Sequence, residues 1–444
     1  MKSTRGAIGM AIALASLVLG ACGGGGSGGG SPPTYHVGGT VSGLRVGGLV
    51  LNDGTRSIAV DTGATSFAFD AGKASGASYA VTVGTQPAGQ TCRVVAGTGA
   101  GVVSGADVAT VQVTCRNYVA YVVDFDTGRL LGFPVADDGS VAATPSSVIE
   151  DTPTRAWAFA PDGAHVYVVG HHMLKAFSID AEGKLAPVPG TFPEIGFSQA
   201  IAISPDGRYA YVADADEESI REFAIRPDAT LAPLTPSSVP GFGNAEGIAM
   251  APDGKSAYVV GNGGTMAQFA VGDSGQLTPL LPPSVMFQSG IHTMAIAPDG
   301  GALYVSSGIG SAFGTVDQFR ILADGTLQPF AGPTIDTGID LESIVISPDG
   351  RHLYAAESEG RPGTAGHIET FAIGDDGTLS HPDARYVRLV NLMPQLTLSP
   401  DGAMLYCMLD YQISAYSRAV DGSLAEASVT DHTDVMMGQK IEIR

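Results

Sequence analysis

The chain is 444 residues long, with 61 glycines, 27 prolines, four cysteines and a net charge of −21. That length exceeds one average domain, and many short β-branched and aromatic runs without helical periodicity argue for an all-β protein. The acid excess sits on residues 117–444 while 22–116 are close to neutral, so anionic lipid is disfavoured as a partner and no nucleic acid is expected.

The N-terminus reads as a targeting signal. Lys2 and Arg5 precede the apolar run Ala7 to Gly20, which is too short to span a bilayer. It ends Leu19-Gly20-Ala21-Cys22, which resembles the lipobox of bacterial lipoproteins. The resemblance implies a signal peptide over 1–21, lipidation of Cys22, and export with the chain anchored in a membrane. Gly23 in place of Asp implies the outer membrane, on its periplasmic or surface face. Residues 22–33 form a tether whose stretch Gly23 to Ser31 is all glycine and serine, reaching roughly 15–20 Å.

Residues 34–116 hold seven short strand-like runs: His36–Leu44, Gly48–Leu51, Ser57–Val60, Phe67–Phe69, Tyr79–Val83, Thr91–Val95 and Val108–Cys115. This predicts a small β-sandwich. Cys92 and Cys115 share it, and in an oxidising compartment they read as a disulfide. The stretches Gly39 to Leu44, Ala80 to Val83 and Gln90-Thr91-Cys92 resemble an immunoglobulin-like module of bacterial surface proteins, which implies a spacer. Asp61-Thr62-Gly63 imitates an aspartic-protease signature. Such enzymes need two aspartates sharing a proton, and the other Asp-Thr-Gly copies, at Asp126 and Asp336, lack the continuation. The segment is therefore read as a hairpin turn between two sandwich strands.

From Tyr118 onward a phrase recurs: Pro-Asp-Gly, with aspartates at 162, 206, 253, 299, 349 and 401. A period of that size marks a repeat architecture. Pro followed by Asp and Gly suits a type I turn, and each copy sits between an apolar run and a second run usually carrying Tyr-Val. Four strands per repeat describe a propeller blade. Six blades are complete. The segment Tyr118–Ile149 lacks a first strand, and Lys440 to Arg444 alternate like a lone one, so the two ends are predicted to complete a seventh blade. Gly272-Asp273-Ser274-Gly275 imitates a serine-protease nucleophile but aligns with hairpin turns in other repeats. Cys407, inside Leu405-Tyr406-Cys407-Met408, reads as a small buried hydrophobe.

The unit Ser204 to Ala213, followed by Phe223-Ala224-Ile225 and the Gly-x-Leu turns at Gly325 and Gly377, resembles the 6-phosphogluconolactonase-like, or lactonase-type, seven-bladed propellers. The resemblance covers about three quarters of the chain. It implies that fold, and it implies lactone hydrolysis with His and Arg near the inner strands, of which this chain keeps Arg155 and His292.

The repeat also measures positions. Six residues before each turn proline stand Arg155, Gln199, Glu246, His292, Glu342 and Pro394, with Gln439 equivalent in the closing strand. In a propeller these positions surround one mouth of the central channel. Glu or His can draw a proton from water attacking an ester carbonyl, and Arg155 can hold an anionic group or the developing oxyanion. Arg155, Glu246, His292 and Glu342 are thus catalytic candidates, while Gln199 and Gln439 are ligand-binding candidates. Asp124, Asp214 and Glu357, three residues beyond the second-strand Tyr, join them; they read as solvated loop acids, and their oxygens would suit a hard cation such as Ca²⁺. No Cys/His grouping has metal-site spacing, and no cofactor is expected. The expectation is a lipid-anchored binding module taking a small molecule, glycan or protein at the channel mouth, or alternatively a lactone hydrolase.

Overall fold

The computed structural model describes residues 33–444 apart from short stretches at 55, 88–89, 96, 125–126, 137, 151, 181, 241–244, 262–263, 287–290, 308–313, 331–334, 337–340, 358–365, 381–385, 390–393, 410 and 433–437. The leader, Cys22 and the tether up to residue 32 lie outside the described residues. No helix among the described residues is long and apolar enough to cross a membrane.

Every Pro-Asp-Gly phrase folds as the turn its chemistry dictates. The glycine N–H donates to the carbonyl of the residue before the proline at 2.8–2.9 Å, from Gly163 through Gly402. The aspartate Oδ1 accepts the N–H two residues on, at 2.7–3.1 Å. Each glycine has φ between 60° and 75°, a left-handed conformation that costs a residue with a Cβ about 1 kcal/mol or more.

These turns join the innermost and second strands of antiparallel blades built on four strands each; in blades five and six a further short strand, Ile335–Asp336 and Tyr386–Arg388, also pairs with the third. Seven blades are present among the described residues. Blades two to seven begin with the innermost strands Thr154–Phe159, Ser198–Ile203, Ala245–Met250, Ile291–Ile296, Leu341–Ile346 and Gln395–Leu398. Blade one is made from both chain ends, as the alternation predicts: Gly438–Ile443 pairs antiparallel with Val119–Asp124, which pairs in turn with Arg129–Pro134. Ile441 and Ile443 are buried there against Ala120, Val122, Tyr406 and Met408.

The recurring Tyr of the second strand does more than fill the gap between blades. Tyr121, Tyr167, Tyr211, Tyr258, Tyr304 and Tyr354 each donate their hydroxyl to a backbone carbonyl in the outer hairpin of the following blade, at 2.6–3.1 Å. Five of those acceptors are the hairpin glycines Gly183, Gly275, Gly325, Gly377 and Gly422. Blades one to seven are thereby stapled in series, while the equivalent hydroxyl of blade seven, Tyr406, is buried without such a bond among the described residues. Tyr211→Phe, which removes one such bond beneath a buried ring, is expected to lower stability by about 1 kcal/mol; urea unfolding against wild type measures it.

The N-terminal module is a sandwich of two four-stranded sheets around one core that includes Val37, Leu51, Val81 and Val111. The strands Gln90–Val94 and Val108–Asn117 place Cys92 directly opposite Cys115, and the two form a disulfide. Three short strands escape the sequence reading: Thr34–Tyr35, Lys73–Ala74 and Ala100–Val102. The Asp61-Thr62-Gly63 segment is a turn, with Ala64 N–H donating to Asp61 O at 3.0 Å. It links strands of two different sheets and so is not the hairpin expected. Arg93 of the sandwich donates to the Asp162 carbonyl in the Pro-Asp-Gly turn of blade two, which leaves the opposite end of that blade uncovered by this contact. Cys407 is fully buried, and burial pushes its thiol pKa up.

Candidate functional site

The positions six residues before the turn prolines share a backbone feature that the sequence does not announce. In blades two to six the ladder between the innermost and second strands skips one residue. Thr154 pairs Gly170 and Ala156 pairs Val169, leaving Arg155 as the extra residue of a β-bulge. The same slip leaves out Gln199, Glu246, His292 and Glu342. In the closing strand Gly438 and Lys440 pair Asp124 and Val123, which makes Gln439 the bulge residue of blade one. Blade seven begins its ladder at Gln395, one residue after Pro394, and has no slip. A bulge bends its strand and re-aims a side chain, and bulges recur beside binding sites.

Three of these residues converge. Arg155, Gln199 and Glu246, from three successive blades, line one cavity of about 380 Å³ in the propeller centre together with Gln395 and Lys440. Small residues one position past the bulge, Ala156, Ala200 and Gly247, make room for it. Arg155 and Glu246 are exposed at the mouth, and Gln199 is half-buried. Glu342, half-buried at its own bulge, lies outside the lining. The strand placement of His292 and Gln439 is described, but their side chains lie outside the described residues.

Lys440 was not among the sequence candidates. Its ammonium lies 3.5 Å from the Trp157 carbonyl and 5.9 Å from the centre of the Trp157 ring. Burial, with Arg444 as a smaller cause, lowers its pKa below the usual lysine range. Together with Arg155 it gives the cavity two cationic groups facing one carboxylate and two amides. Such a set can hold an anionic group by charge-assisted hydrogen bonds while the amides and Glu246 take hydroxyls.

Asp124, Asp214 and Glu357 are not solvated loop acids; all three are buried. The reason is cross-strand pairing at the far end of each second strand. Asp124 meets Arg129 at 3.1 Å, and Asp214 meets Arg221 at 3.3 Å while accepting the Gly196 N–H at 2.9 Å. Glu357 meets His367 Nε2 at 3.2 Å. The three acids belong to blades one, three and six, each tied to its own hairpin, so they do not form a common cation cage. Gly272-Asp273-Ser274-Gly275 is a hairpin turn, with the Gly275 N–H on Gly272 O at 2.8 Å and the Gly275 carbonyl taken by Tyr211.

Comparison with known proteins agrees with this architecture. The family model described as Lactonase, 7-bladed beta-propeller matches residues 72–242, from the second half of the sandwich to the end of blade three. A Bacteroides fragilis protein provisionally named a 6-phosphogluconolactonase superposes with a TM-score of 0.59 at 21% identity, covering 74% of this chain and 98% of its own. A periplasmic gluconolactonase of Pseudomonas aeruginosa gives 0.60 at 18% identity over 73% and 98%. A Lactobacillus plantarum protein gives 0.60 at 16% identity over 74% and 99%. At these identities the likeness is one of fold, and the chain has a lactonase-like propeller. No curated protein matches it.

Proposed function

We propose that this protein is an exported, lipid-anchored propeller that binds a small anionic, hydroxyl-rich molecule, of the size of a sugar acid, in its central cavity. The observation that carries the reading is the convergence of Arg155, Lys440, Glu246, Gln199 and Gln395 on one space of about 380 Å³, within the range of roughly 300–1,000 Å³ usual for small-molecule sites. The leader and Cys22 support the anchor, the tether supports reach from a membrane, and the sandwich serves as an immunoglobulin-like spacer. A cavity walled by two cations gives nucleic acid no extended track to follow.

A second reading, hydrolysis of a sugar or other lactone, is favoured by Glu246 and Arg155 sharing that cavity. Glu246 would take a proton from water as the oxygen attacks the ring ester carbonyl, and Arg155 would hold the oxyanion. The carbonyl–oxygen bond of the ring then breaks and the leaving alkoxide takes up the proton. His292 and Glu342 remain candidates for assisting that proton transfer.

The two readings separate in one assay. Purified protein is given gluconolactone and a panel of other lactones, with binding of the corresponding acids followed by calorimetry. The binding reading expects acids to bind without turnover. The hydrolytic reading expects turnover that falls at least tenfold in Glu246→Gln. Neither binding nor turnover in wild type would discard both. Because the Lys440 pKa is lowered, affinity for an anion is expected to weaken as pH rises through that depressed pKa, below the range where an ordinary lysine loses its proton.

A further inference from the structure

In blades one, three and six the second strand ends in an acid, and the partner of that acid changes from blade to blade. In blade one Asp124 faces Arg129, directly paired with it across the hairpin. In blade three the partner is Arg221, two residues further along the third strand. Blade six has the same register: Glu357 pairs His367, and Ala355 pairs Glu369. His367 thus stands where blade one has Arg129, and Glu369 stands where blade three has Arg221. Residues two apart on a strand share a face, so a second carboxylate joins the first where another repeat places a guanidinium.

We propose that Glu357, His367 and Glu369 form a binding site for a divalent first-row metal ion, Zn²⁺ or Mn²⁺. One ligand atom from each residue falls within 4.8 Å of the others, and His367 Nε2 is 3.2 Å from Glu357 Oε2. Ligands held at about 2.0–2.2 Å around one ion stand roughly 3–4 Å apart, so only small rotamer changes separate these side chains from coordination. Glu357 is 0% exposed and Glu369 4%. Neither carboxylate oxygen of Glu357 has a hydrogen-bond donor among the described residues outside the cluster itself. Two adjacent buried carboxylates repel unless a proton or a cation lies between them, and burial together with Glu369 raises the Glu357 pKa accordingly. An imidazole with two carboxylates suits a borderline ion better than Ca²⁺ or Mg²⁺, which prefer oxygen alone. The ion would bind the second and third strands of blade six to each other at the channel-mouth end. This site is separate from the central cavity, and its ligands take no part in the function proposed above.

The test uses the purified protein without a histidine tag, freed of metal by a chelator. Calorimetric titration with ZnCl₂, MnCl₂ and CaCl₂ is expected to show one equivalent of Zn²⁺ or Mn²⁺ bound, with weaker or no uptake of Ca²⁺. Glu357→Gln, Glu369→Gln and His367→Ala are each expected to weaken uptake at least tenfold and to remove the rise in melting temperature that the ion gives wild type. Should those variants fold poorly, anomalous scattering from wild-type crystals soaked in Zn²⁺ decides the matter by showing a peak between the three side chains. No uptake, unchanged uptake in both Glu→Gln variants, or a peak elsewhere would overturn the proposal.

Discussion

Removing residues 438–444 is expected to destroy the cooperative unfolding transition of the propeller. The segment supplies the innermost strand of blade one, paired with Val119–Asp124 from Ala120↔Ile443 to Asp124↔Gly438 and fastened at its end by reciprocal Val119 and Arg444 backbone bonds of 2.8 and 3.0 Å. Ile441 and Ile443 are 4% and 2% exposed. Losing a buried Ile costs about 2–5 kcal/mol, so the pair alone accounts for about 4–10 kcal/mol, comparable with the roughly 5–15 kcal/mol that holds a typical native protein together. Truncation also bares the edge of Val119–Asp124, a template for aggregation. Ile441→Ala, with the strand retained, should cost about 2–5 kcal/mol. Thermal and urea unfolding measure both. A truncated chain with a wild-type midpoint would show that the ring does not depend on the joined ends.

The second large effect concerns the cavity. Lys440→Met keeps the length of the side chain that lies over Trp157 and removes its charge; Arg155→Ala removes the other cation. Hydrogen bonds to charged groups contribute about 1.5–3 kcal/mol each, so either substitution is expected to weaken an anionic ligand roughly ten- to a hundredfold. Arg155 is exposed and Lys440 half-buried, so stability should change little beside the change in affinity. The uncharged lactone of the same sugar should be less affected than the acid.

Much of this architecture was open to a reading of the chain because the governing chemistry is local. A Pro-Asp-Gly turn needs only its own residues, and its six copies mark six blades, while the missing first strand of the opening segment and the alternation of Lys440–Arg444 point to the seventh. The bulge positions were also within reach, since a bulge lies a fixed count from the turn: Arg155, Gln199 and Glu246 were picked out by counting and share one cavity. Lys440 and Gln395 were missed, although the same count shifted by one residue finds them. That column holds Ala156, Ala200, Gly247, Thr293 and Ser343 in the other blades, and only Gln395 and Lys440 carry long polar chains there. The burial of Asp124, Asp214 and Glu357 escaped notice for a different reason. It depends on cross-strand partners, Arg129, Arg221 and His367, whose register is set by the third strand and not by the turn. The Tyr staples were hidden in the same way: the Tyr-Val run reads as apolar, and the hydroxyl acceptor lies in the next blade, more than 60 residues on.

Trp157 offers a direct probe of the central claim that the cavity is the ligand site. It is the single tryptophan of the chain, its neighbour Ala156 lines the cavity, and the Lys440 ammonium lies 5.9 Å from its ring centre. Its fluorescence is to be followed during titration with gluconate, in wild type, Lys440→Met and Arg155→Ala. A saturable change in wild type, moved at least tenfold to higher concentration in both variants, is the predicted result. A flat titration in wild type, or identical midpoints in all three proteins, would contradict it.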